Sequence, residues 1–478
     1  MFANLKILLV GGGGREHALA WKMADSPLVS HVFCAPGNAG TAREPFVTNV
    51  TGDDSFDPKD PGSILGLARL LEVDLTVIGP EDPLAAGVVD VFDRAGMAIF
   101  GPTQAASRLE WSKSFAKEFM ARRRIPTARF EVAETPAAAL AAVARFGAPV
   151  VVKADGLAAG KGVTVATDRM AAENAIRLAM DESIFGPAGR RVVVEECLEG
   201  PEVSVLALTD GENVLPFPPA QDHKRLRNDD LGPNTGGMGA YCPARVLGAE
   251  GEKAVIETIL KPTVRGMAEE GAPLRGVLYA GLMITGSGPK VLEFNCRFGD
   301  PETQVILPLL ESDLVELILA TVGRGLAGAT GLGDCHLHIS PGAAAGVVVA
   351  SAGYPDRYEV GKPITGLEIA DLRAQVKIFH AGTRLAGRGG RRVLTAGGRV
   401  LSVVATAGDL REAVKEAYRA VALIRFEGAH YRTDIAAKAA ASPAWPPAKA
   451  GPQGPPGQTG LRNPQGEDGR GIAGETDH

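Results

Sequence analysis

The chain has 478 residues, which is enough for several domains with substantial hydrophobic cores. Its 45% hydrophobic and 22% charged residues are typical of a folded globular protein, and the net charge of −6 argues against a nucleic-acid partner, which would need a basic face. The five cysteines form no C-x-x-C pair and no apolar run is long enough for a signal peptide or a membrane span. We therefore expect a cytoplasmic protein with neither a zinc site nor disulfides.

The N-terminal residues alternate between strand and helix patterns. Residues 5–10 (LKILLV) predict a buried strand that leads through a glycine cluster into an amphipathic helix. Strand patterns return at residues 75–79 (LTVIG) and 97–101 (MAIFG). This alternation predicts a doubly wound parallel sheet, which we assign to residues 1–108.

Residues 109–334 predict a second unit. It starts with one long helix from Leu109 (LEWSKSFAKEFMARRR), and short strands and alanine-rich helices then form a compact flap at about 126–192. Residues 335–437 predict a separate α+β unit. Residues 438–478, rich in Ala, Pro, Gly and polar residues, predict a disordered tail.

The first glycine cluster, Gly11 to Gly14, lies between the first predicted strand and helix. This arrangement turns backbone N–H groups toward a positive helix end, which favours an anion. Glu16 stands where the dinucleotide-binding fingerprint needs its third glycine, so that fingerprint is incomplete. A tight turn with no ligand is the alternative.

The second glycine cluster, KADGLAAGKGV at residues 153–163, lies between two predicted strands. It is not a Walker A loop, because the spacing is one residue short and Gly162 follows Lys161 in place of Ser or Thr. Glycines let the backbone fold over a polyphosphate, and Lys153 and Lys161 supply positive charge. The pattern favours a mobile phosphate-binding hairpin over a surface hairpin with solvated lysines.

Polar residues alternate along the predicted strand at residues 290–298 (KVLEFNCRF). Glu293, Asn295 and Arg297 are expected to share one face, and the intervening residues, Leu292 among them, to face the core. A carboxylate and an amide oxygen suit Mg²⁺ or Mn²⁺, and a guanidinium can offset charge on a transferred phosphoryl group. An ordinary polar face with a cross-strand ion pair is the alternative.

Residues 221–243 (QDHKRLRNDDLGPNTGGMGAYCP) have no apolar period and many turn formers, so they predict a long loop. Unstructured loops of this length are often functional. Asp222, Lys224 and Arg225 bring together charges that would bind a zwitterion or a phosphate, and the later glycines offer a backbone nest. His223 by itself favours a structural role over a catalytic one.

In this order, the motifs resemble the phosphoribosylamine–glycine ligases, a family of the ATP-grasp superfamily, over about residues 5–437. The matching strings are LLVGGGGREHALAW, IGPEDPL, VVKADGLAAGKGV, AQDHKR, GPNTGGMGAYCP, LEFNCRFGDPETQ, GGRVLSVVA and RFEGAHYRTDI. GPNTGGMGAY and RFGDPE are the most specific of them. The resemblance implies a Rossmann-like N-terminal domain, a central ATP-grasp fold with a mobile flap, and a C-terminal α+β domain.

The resemblance also implies roles for individual residues. Those expected at ATP are Lys117, Lys153, Gly160, Lys161, Glu195, Glu196, Cys197, Leu198 and Glu202, with the 195–198 backbone holding adenine. Those expected at glycine and the phosphoribosyl group are Gly12, Gly13, Gly14, Asn38, Glu81, Asp222, Lys224, Gly237, Met238, Gly239, Arg297 and Asp300. Glu293 and Asn295 match the magnesium or manganese ligands. Arg297, Lys161 and Asp222 are the residues expected to act in catalysis.

The implied reaction joins glycine to 5-phosphoribosylamine at the expense of ATP, by way of glycyl phosphate, and needs no protein nucleophile. We expect a monomer with small-molecule partners alone. Two residues depart from the family pattern: Pro201 beside Glu202, which leaves the ribose contact open, and Trp111 in the helix that carries Lys117.

Three other functions remain open on the sequence. A related ATP-grasp ligase for another acid or amine would share the metal ligands but would not need residues 221–243 as written. A dehydrogenase would need the missing third glycine. A nucleotide sensor would have no use for a transition-state group such as Arg297.

Overall fold

A computed structural model describes residues 4–50, 56–157, 162–323 and 331–439, all within one compact unit. Two of the predicted site residues, Gly160 and Lys161, lie outside the described residues, and so does the predicted tail from residue 440 onward. Within the described ranges, no helix combines the length and the apolar character that a membrane crossing requires.

The N-terminal part is a parallel sheet with helices between its strands. Its elements are β1 (Leu5–Gly11), α1 (Gly14–Ala24), β2 (Val29–Pro36), β3 (Val47–Asn49), α2 (Pro61–Leu70), β4 (Leu75–Ile78), α3 (Glu81–Ala85), α4 (Val88–Arg94) and β5 (Ile99–Phe100). The strand order β3-β2-β1-β4-β5, with every pairing parallel, confirms the predicted doubly wound sheet. The order reverses beside β1, and ligand clefts form outside the carboxyl ends of strands at such a point.

The predicted long helix from Leu109 is two helices, α5 (Gln104–Trp111) and α6 (Lys113–Arg123). Ser112 is extended between them, and its hydroxyl caps α6 by accepting the Phe115 N–H at 3.3 Å. Asp155 accepts the Ser114 N–H at 3.0 Å and so caps the same helix from a distant part of the chain. The prediction of one continuous helix is therefore wrong, because a cap from a distant segment starts a new helix after Ser112.

The flap forms an antiparallel sheet in the order β6-β9-β7-β8, with two helices packed on it. Its elements are β6 (Phe130–Ala133), α7 (Pro136–Phe146), β7 (Val150–Ala154), β8 (Val163–Ala166), α8 (Arg169–Ile176) and β9 (Val192–Glu196). Strand β7 ends beside Lys153 and the second glycine cluster, while β9 ends at the 195–198 stretch. The flap therefore carries Lys153 and the start of the 195–198 stretch, whereas Lys117 lies on α6 and Glu202 at the start of the next strand.

The central sheet has the order β11-β10-β16-β17. The elements of this part are β10 (Glu202–Asp210), β11 (Val214–Pro216), β12 (Gln221–Asp222), β13 (Arg225–Arg227), β14 (Leu231–Asn234), β15 (Gly239–Cys242), α9 (Gly248–Val255), α10 (Lys261–Glu269), β16 (Arg275–Thr285), β17 (Gly288–Asn295), α11 (Glu302–Ile306) and α12 (Leu314–Thr321). The pairing of β17 with β16 skips Leu292, which lies in a bulge, and β17 ends before Arg297. The predicted alternation is therefore wrong at Leu292, which lines the cleft instead of facing the core.

The C-terminal part contains β18 (Ala343–Ser351), β19 (Pro363–Ile364), α13 (Leu367–Asp371), β20 (Val376–His380), β21 (Thr383–Ala386), β22 (Arg392–Thr395), β23 (Arg399–Ala407), α14 (Leu410–Val421) and β24 (Ala429–His430). Its main sheet has the order β12-β15-β18-β23-β20, so two strands from residues 221–243 belong to it. In addition, β13 pairs with β14 as a hairpin. The prediction of a long loop is therefore wrong, because backbone pairing with β18 draws into the sheet a segment that has no apolar period of its own.

Candidate active site

A cleft of about 1120 Å³ opens where these parts meet. The predicted site residues that line it are Gly12, Gly13, Glu81, Lys117, Lys153, Glu195, Glu196, Cys197, Leu198, Glu202, Asp222, Lys224, Glu293, Asn295, Arg297 and Asp300. The fold thus brings together residues from the N-terminal sheet, the flap and the central sheet.

Other predicted site residues lie behind the cleft wall. Asn38 is buried, and its side-chain amide donates to the carbonyls of Gly12 at 3.0 Å and His380 at 2.8 Å. Gly14 packs against Gln304, and Met238 is fully buried in the core. Asn38 therefore holds the first glycine cluster against the C-terminal sheet.

A carboxylate lies between two buried lysines at the flap end of the cleft. Glu195 pairs with Lys117 at 2.9 Å and with Lys153 at 3.0 Å, and the Lys117 and Glu195 side chains are each 2% exposed. Lys117 also donates to the Thr127 hydroxyl at 2.7 Å, and Lys153 donates to the Leu292 carbonyl at 2.9 Å. These contacts fix both ammonium groups in a cluster with one more positive than negative charge.

The pKa values of the lysines reflect this crowding. Burial, followed by the charge of Lys153, lowers the pKa of Lys117 to about 8, although Glu195 acts in the opposite direction. Burial also lowers the pKa of Lys113, which donates to the Gly156 carbonyl at 2.8 Å. A polyphosphate would relieve the repulsion among these cations and restore their charge.

Next to this cluster, the backbone of residues 195–198 runs along the cleft. The Glu196 carboxylate accepts from the Arg129 backbone N–H at 3.0 Å and from its guanidinium at 2.6 Å. Glu202, at the start of β10, pairs instead with Lys224 at 3.1 Å.

Arg297 lies between two carboxylates. It contacts Glu81 at 3.0 Å and Glu110 at 3.1 Å, and it also donates to the Phe298 carbonyl at 3.1 Å. The arginine charge is the main cause that lowers the pKa of Glu81 to about 2, whereas burial raises the pKa of Glu110. Glu110 is itself held by the Cys296 N–H at 2.8 Å, so the guanidinium is clamped from both sides.

The predicted metal ligands lie two residues apart on the cleft side of β17. Burial acts to raise the pKa of Glu293, but the nearby positive charges, led by Lys224, lower it and favour an ionised carboxylate. Asn295 accepts from Arg297 at 3.3 Å. An anionic and a neutral oxygen fit Mg²⁺ or Mn²⁺. Among the described residues, no group of three or more His, Cys, Asp or Glu could hold a metal ion, so these two residues alone would leave coordination positions open to water or substrate oxygens.

Asp222 is a half-buried carboxyl with charges of both signs around it. Burial, followed by the charge of Glu302, raises its pKa well above the ordinary value, although Lys224 and Arg399 act in the opposite direction. Its Oδ1 is buried and has no hydrogen-bond partner among the described residues. Gly237, at φ +111°, permits this packing, because a Cβ there would lie 2.7 Å from Asp222 Oδ1. Such a carboxyl would gain from a cationic ligand such as an ammonium group.

The Glu16 side chain occupies the space beside the first glycine cluster. Glu16 is buried and accepts from the Gly13 N–H at 2.7 Å and from Arg15 at 2.6 Å. A Cβ at Gly11 or Gly79 would lie within 2.4 Å or 2.1 Å of the Glu16 side chain. The carboxylate takes the N–H that a dinucleotide pyrophosphate would use, which argues against the dehydrogenase alternative.

Glu110 and Arg399 are among the charged residues of the site that were not predicted. Glu110 is sequence-distant from Arg297, and nothing in its helical pattern distinguishes it from a surface residue. Arg399 donates to the carbonyls of Gly236 at 2.5 Å and Asp300 at 2.9 Å, and its guanidinium pairs with the Asp300 carboxylate at 3.3 Å. The signal for Arg399 was a charged residue at the start of an otherwise apolar strand.

The phosphoribosylglycinamide synthetase domains match this chain in order: the N domain over residues 5–110, the ATP-grasp (A) domain over 111–303 and the C domain over 344–438. A phosphoribosylamine–glycine ligase from Salmonella typhimurium is 51% identical over 432 residues, which cover 90% of this chain and 98% of that protein. This chain belongs to that family. The crystal structure of phosphoribosylamine–glycine ligase from Thermotoga maritima, 37% identical, covers 90% of this chain and all of its own, with a TM-score of 0.76.

The ATP-grasp fold of this family extends to more distant proteins. A biotin carboxylase from Campylobacter jejuni is 16% identical and has a TM-score of 0.69 over 89% of this chain. At that identity the likeness concerns the fold alone. The three-part architecture predicted from the sequence is thus that of the phosphoribosylamine–glycine ligase family.

Proposed function

We propose that this chain uses ATP to join glycine to 5-phosphoribosylamine, giving glycinamide ribonucleotide, ADP and phosphate in purine synthesis. The observation that carries the proposal is the joint presence in one cleft of three groups: the lysine cluster around Glu195, the clamped Arg297, and the oppositely charged Asp222 and Lys224. A phosphate-binding end, a phosphoryl-transfer group and a zwitterion-binding end are what this ligation requires.

In the first step, the glycine carboxylate attacks the γ-phosphate of ATP and forms glycyl phosphate. Lys117 and Lys153 hold the phosphates, the backbone of residues 195–198 holds adenine, and Glu202 binds the ribose. Arg297, fixed by Glu81 and Glu110, stabilises the charge that develops on the transferred phosphoryl group. Its five N–H donors in a rigid fork suit that task better than a lysine would.

In the second step, the amine of phosphoribosylamine attacks the activated carbonyl and releases phosphate. Asp222 orients the ammonium form of glycine and accepts the proton that the attacking amine loses. Lys224 and Asp300 contact the substrates in the same region. No side chain has to form a covalent intermediate, because positioning and electrostatics supply the acceleration.

Glu293 and Asn295 would hold Mg²⁺ or Mn²⁺ in the working enzyme. The ion would offset the negative charge of the nucleotide phosphates. Lys161 and Gly160, predicted to close over ATP, lie outside the described residues, and their role rests on the sequence alone. We also propose a cytoplasmic monomer, and the five free thiols support the reducing compartment.

The test is ADP release from the purified protein with Mg·ATP, with glycine and phosphoribosylamine supplied separately and together. We expect sustained turnover only with both, and glycinamide ribonucleotide as the product. ADP release that ignores phosphoribosylamine but follows another acid or amine would preserve the ATP-grasp chemistry and overturn the substrate assignment.

A further inference from the structure

The segment 429–438, here called the anchor segment, runs along the hairpin formed by β13 and β14. Its central residue, Arg432, has a side chain that is only 1% exposed. The guanidinium donates to the Arg225 carbonyl at 3.1 Å and to the Asp230 carboxylate at 2.9 Å, and it also pairs with Asp434 at 2.7 Å. A buried arginine with this many partners fixes the geometry of the groups around it.

Further hydrogen bonds join the anchor segment to the same hairpin. The Asn228 amide donates to the Thr433 hydroxyl at 2.6 Å and accepts the Thr433 N–H at 3.0 Å. The Asp229 N–H donates to Asp434 at 2.9 Å. The hairpin, which is exposed over much of its length, is therefore ordered by the anchor segment more than by its own packing.

The anchor segment also reaches the residue between Asp222 and Lys224. The His223 ring is buried, with Nδ1 donating to the Gly239 carbonyl at 3.2 Å and Nε2 accepting the Ala436 N–H at 3.1 Å. Burial, followed by the charge of Arg432, lowers the pKa of His223 to about 4, which keeps the ring neutral and its Nε2 able to accept. His223 is therefore fixed at both ring nitrogens.

We propose that the anchor segment positions Asp222 and Lys224 through His223, and so sets the affinity for glycine and phosphoribosylamine more than the affinity for ATP. His223 directly follows β12, and its backbone N–H and carbonyl bond the Gly239 carbonyl and the Met238 N–H at 2.9 Å each. A ring held at both nitrogens therefore fixes the backbone from which the Asp222 and Lys224 side chains project. The proposal rests on the proposed function, and it makes His223 and Arg432 positioning residues that act through Asp222 and Lys224.

We expect different effects on ATP and on the other two substrates because different residues hold the two ends of the cleft in place. Lys117 and Lys153 are held by Glu195, Thr127 and the Leu292 carbonyl, none of which belongs to the anchor segment. Lys224 does contact Glu202 at 3.1 Å, so a small effect on ATP is expected. A larger effect on the other two substrates is the signature of the positioning role.

The decisive variants are His223→Leu and His223→Gln in the full chain. Leucine removes the acceptor for the Ala436 N–H, and we expect the KM for glycine and for phosphoribosylamine to rise about tenfold, with the KM for ATP changing less than twofold. The glutamine side-chain amide can present an oxygen near the position of Nε2, and we expect it to restore most of the loss.

Arg432→Lys removes the fork that joins Asp230 to Asp434 and provides the same readout if His223→Leu does not fold. Arg373→Lys, which alters an ion pair with Glu416 elsewhere in the C-terminal part, is the matched control and should leave all three KM values unchanged. Equal increases for all substrates, or a lower melting temperature with unchanged KM values, would overturn the positioning role. A wild-type protein that does not turn over with both substrates would instead overturn the proposed function.

Discussion

Two clusters in the cleft have opposite charge arrangements. Glu195 lies between Lys117 and Lys153, whereas Arg297 lies between Glu81 and Glu110. With every group ionised, the lysine cluster has one excess positive charge and the arginine cluster one excess negative charge.

The pKa shifts show that the cations of the two clusters respond differently to their surroundings. In the lysine cluster the cation loses its proton more easily, since burial and the charge of Lys153 lower the pKa of Lys117 to about 8. In the arginine cluster the cation keeps its proton, since Glu110 and Glu81 raise the pKa of Arg297 against the effect of burial. The first cluster is therefore prepared to receive an anion, and the second is a clamp that holds one guanidinium in place.

The largest effect on turnover is expected from replacing Arg297, which Glu81 and Glu110 hold between them. Arg297→Ala should lower kcat by about 10³-fold, because it removes a group used in phosphoryl transfer. ATP affinity should change much less, since the lysine cluster is intact. Turnover and calorimetric ATP binding measure the two, with Arg297→Lys as the variant that keeps the charge without the fork. Equal losses in turnover and affinity would contradict the role of Arg297.

The lysine cluster is broken most directly at Glu195. Glu195→Gln leaves two buried ammonium groups without their shared carboxylate, and we expect the free energy of unfolding to fall by about 3 kcal/mol. Glu131→Gln, which loses an exposed ion pair with Arg145, is the matched control and should lower the free energy of unfolding far less. Because ATP would replace the missing negative charge, it should raise the melting temperature of Glu195→Gln more than that of the wild type. An equal rise in both would count against an anion-binding cluster.

The pH dependence of ATP binding sharpens the comparison. Lys117 loses its proton above pH 8 in the free protein, and a polyphosphate binds best to the charged form, so affinity should fall as pH rises through 8. Between pH 7.5 and 9 we expect a loss of about tenfold. Lys117→Met should bind ATP more weakly at pH 7.5 and show a flatter profile. A profile as steep as that of the wild type would assign the titration to another group, with Lys113→Met as the next variant.

The sequence predicted much of this molecule because its main signals are local. Strand and helix periods at residues 5–24 and the alternation around Glu293 and Asn295 are properties of short segments, and they led to the parallel sheet and the predicted metal pair. The resemblance then supplied the order of the three parts.

What the sequence did not predict depends on contacts between distant segments. The helix break at Ser112 is joined to Asp155, the Arg297 clamp includes Glu110, and residues 221–243 are ordered by pairing with β18. A carboxylate that stabilises a distant arginine has the same local pattern as one that faces solvent. Such partners become visible only when the fold brings them together.

Glu110→Gln is the smallest expected change and the most specific test of the clamp. The amide keeps an oxygen for the Cys296 N–H or for Arg297, and Glu81 still holds the guanidinium, so we expect kcat to fall about tenfold with little change in the KM for ATP. Glu81→Gln removes the more exposed partner and provides the comparison. If both carboxylates orient one group, the double variant should lose less than the product of the two single losses, because the second removal acts on an arginine already displaced. Independent, multiplicative losses would mean that the two carboxylates do not act through Arg297.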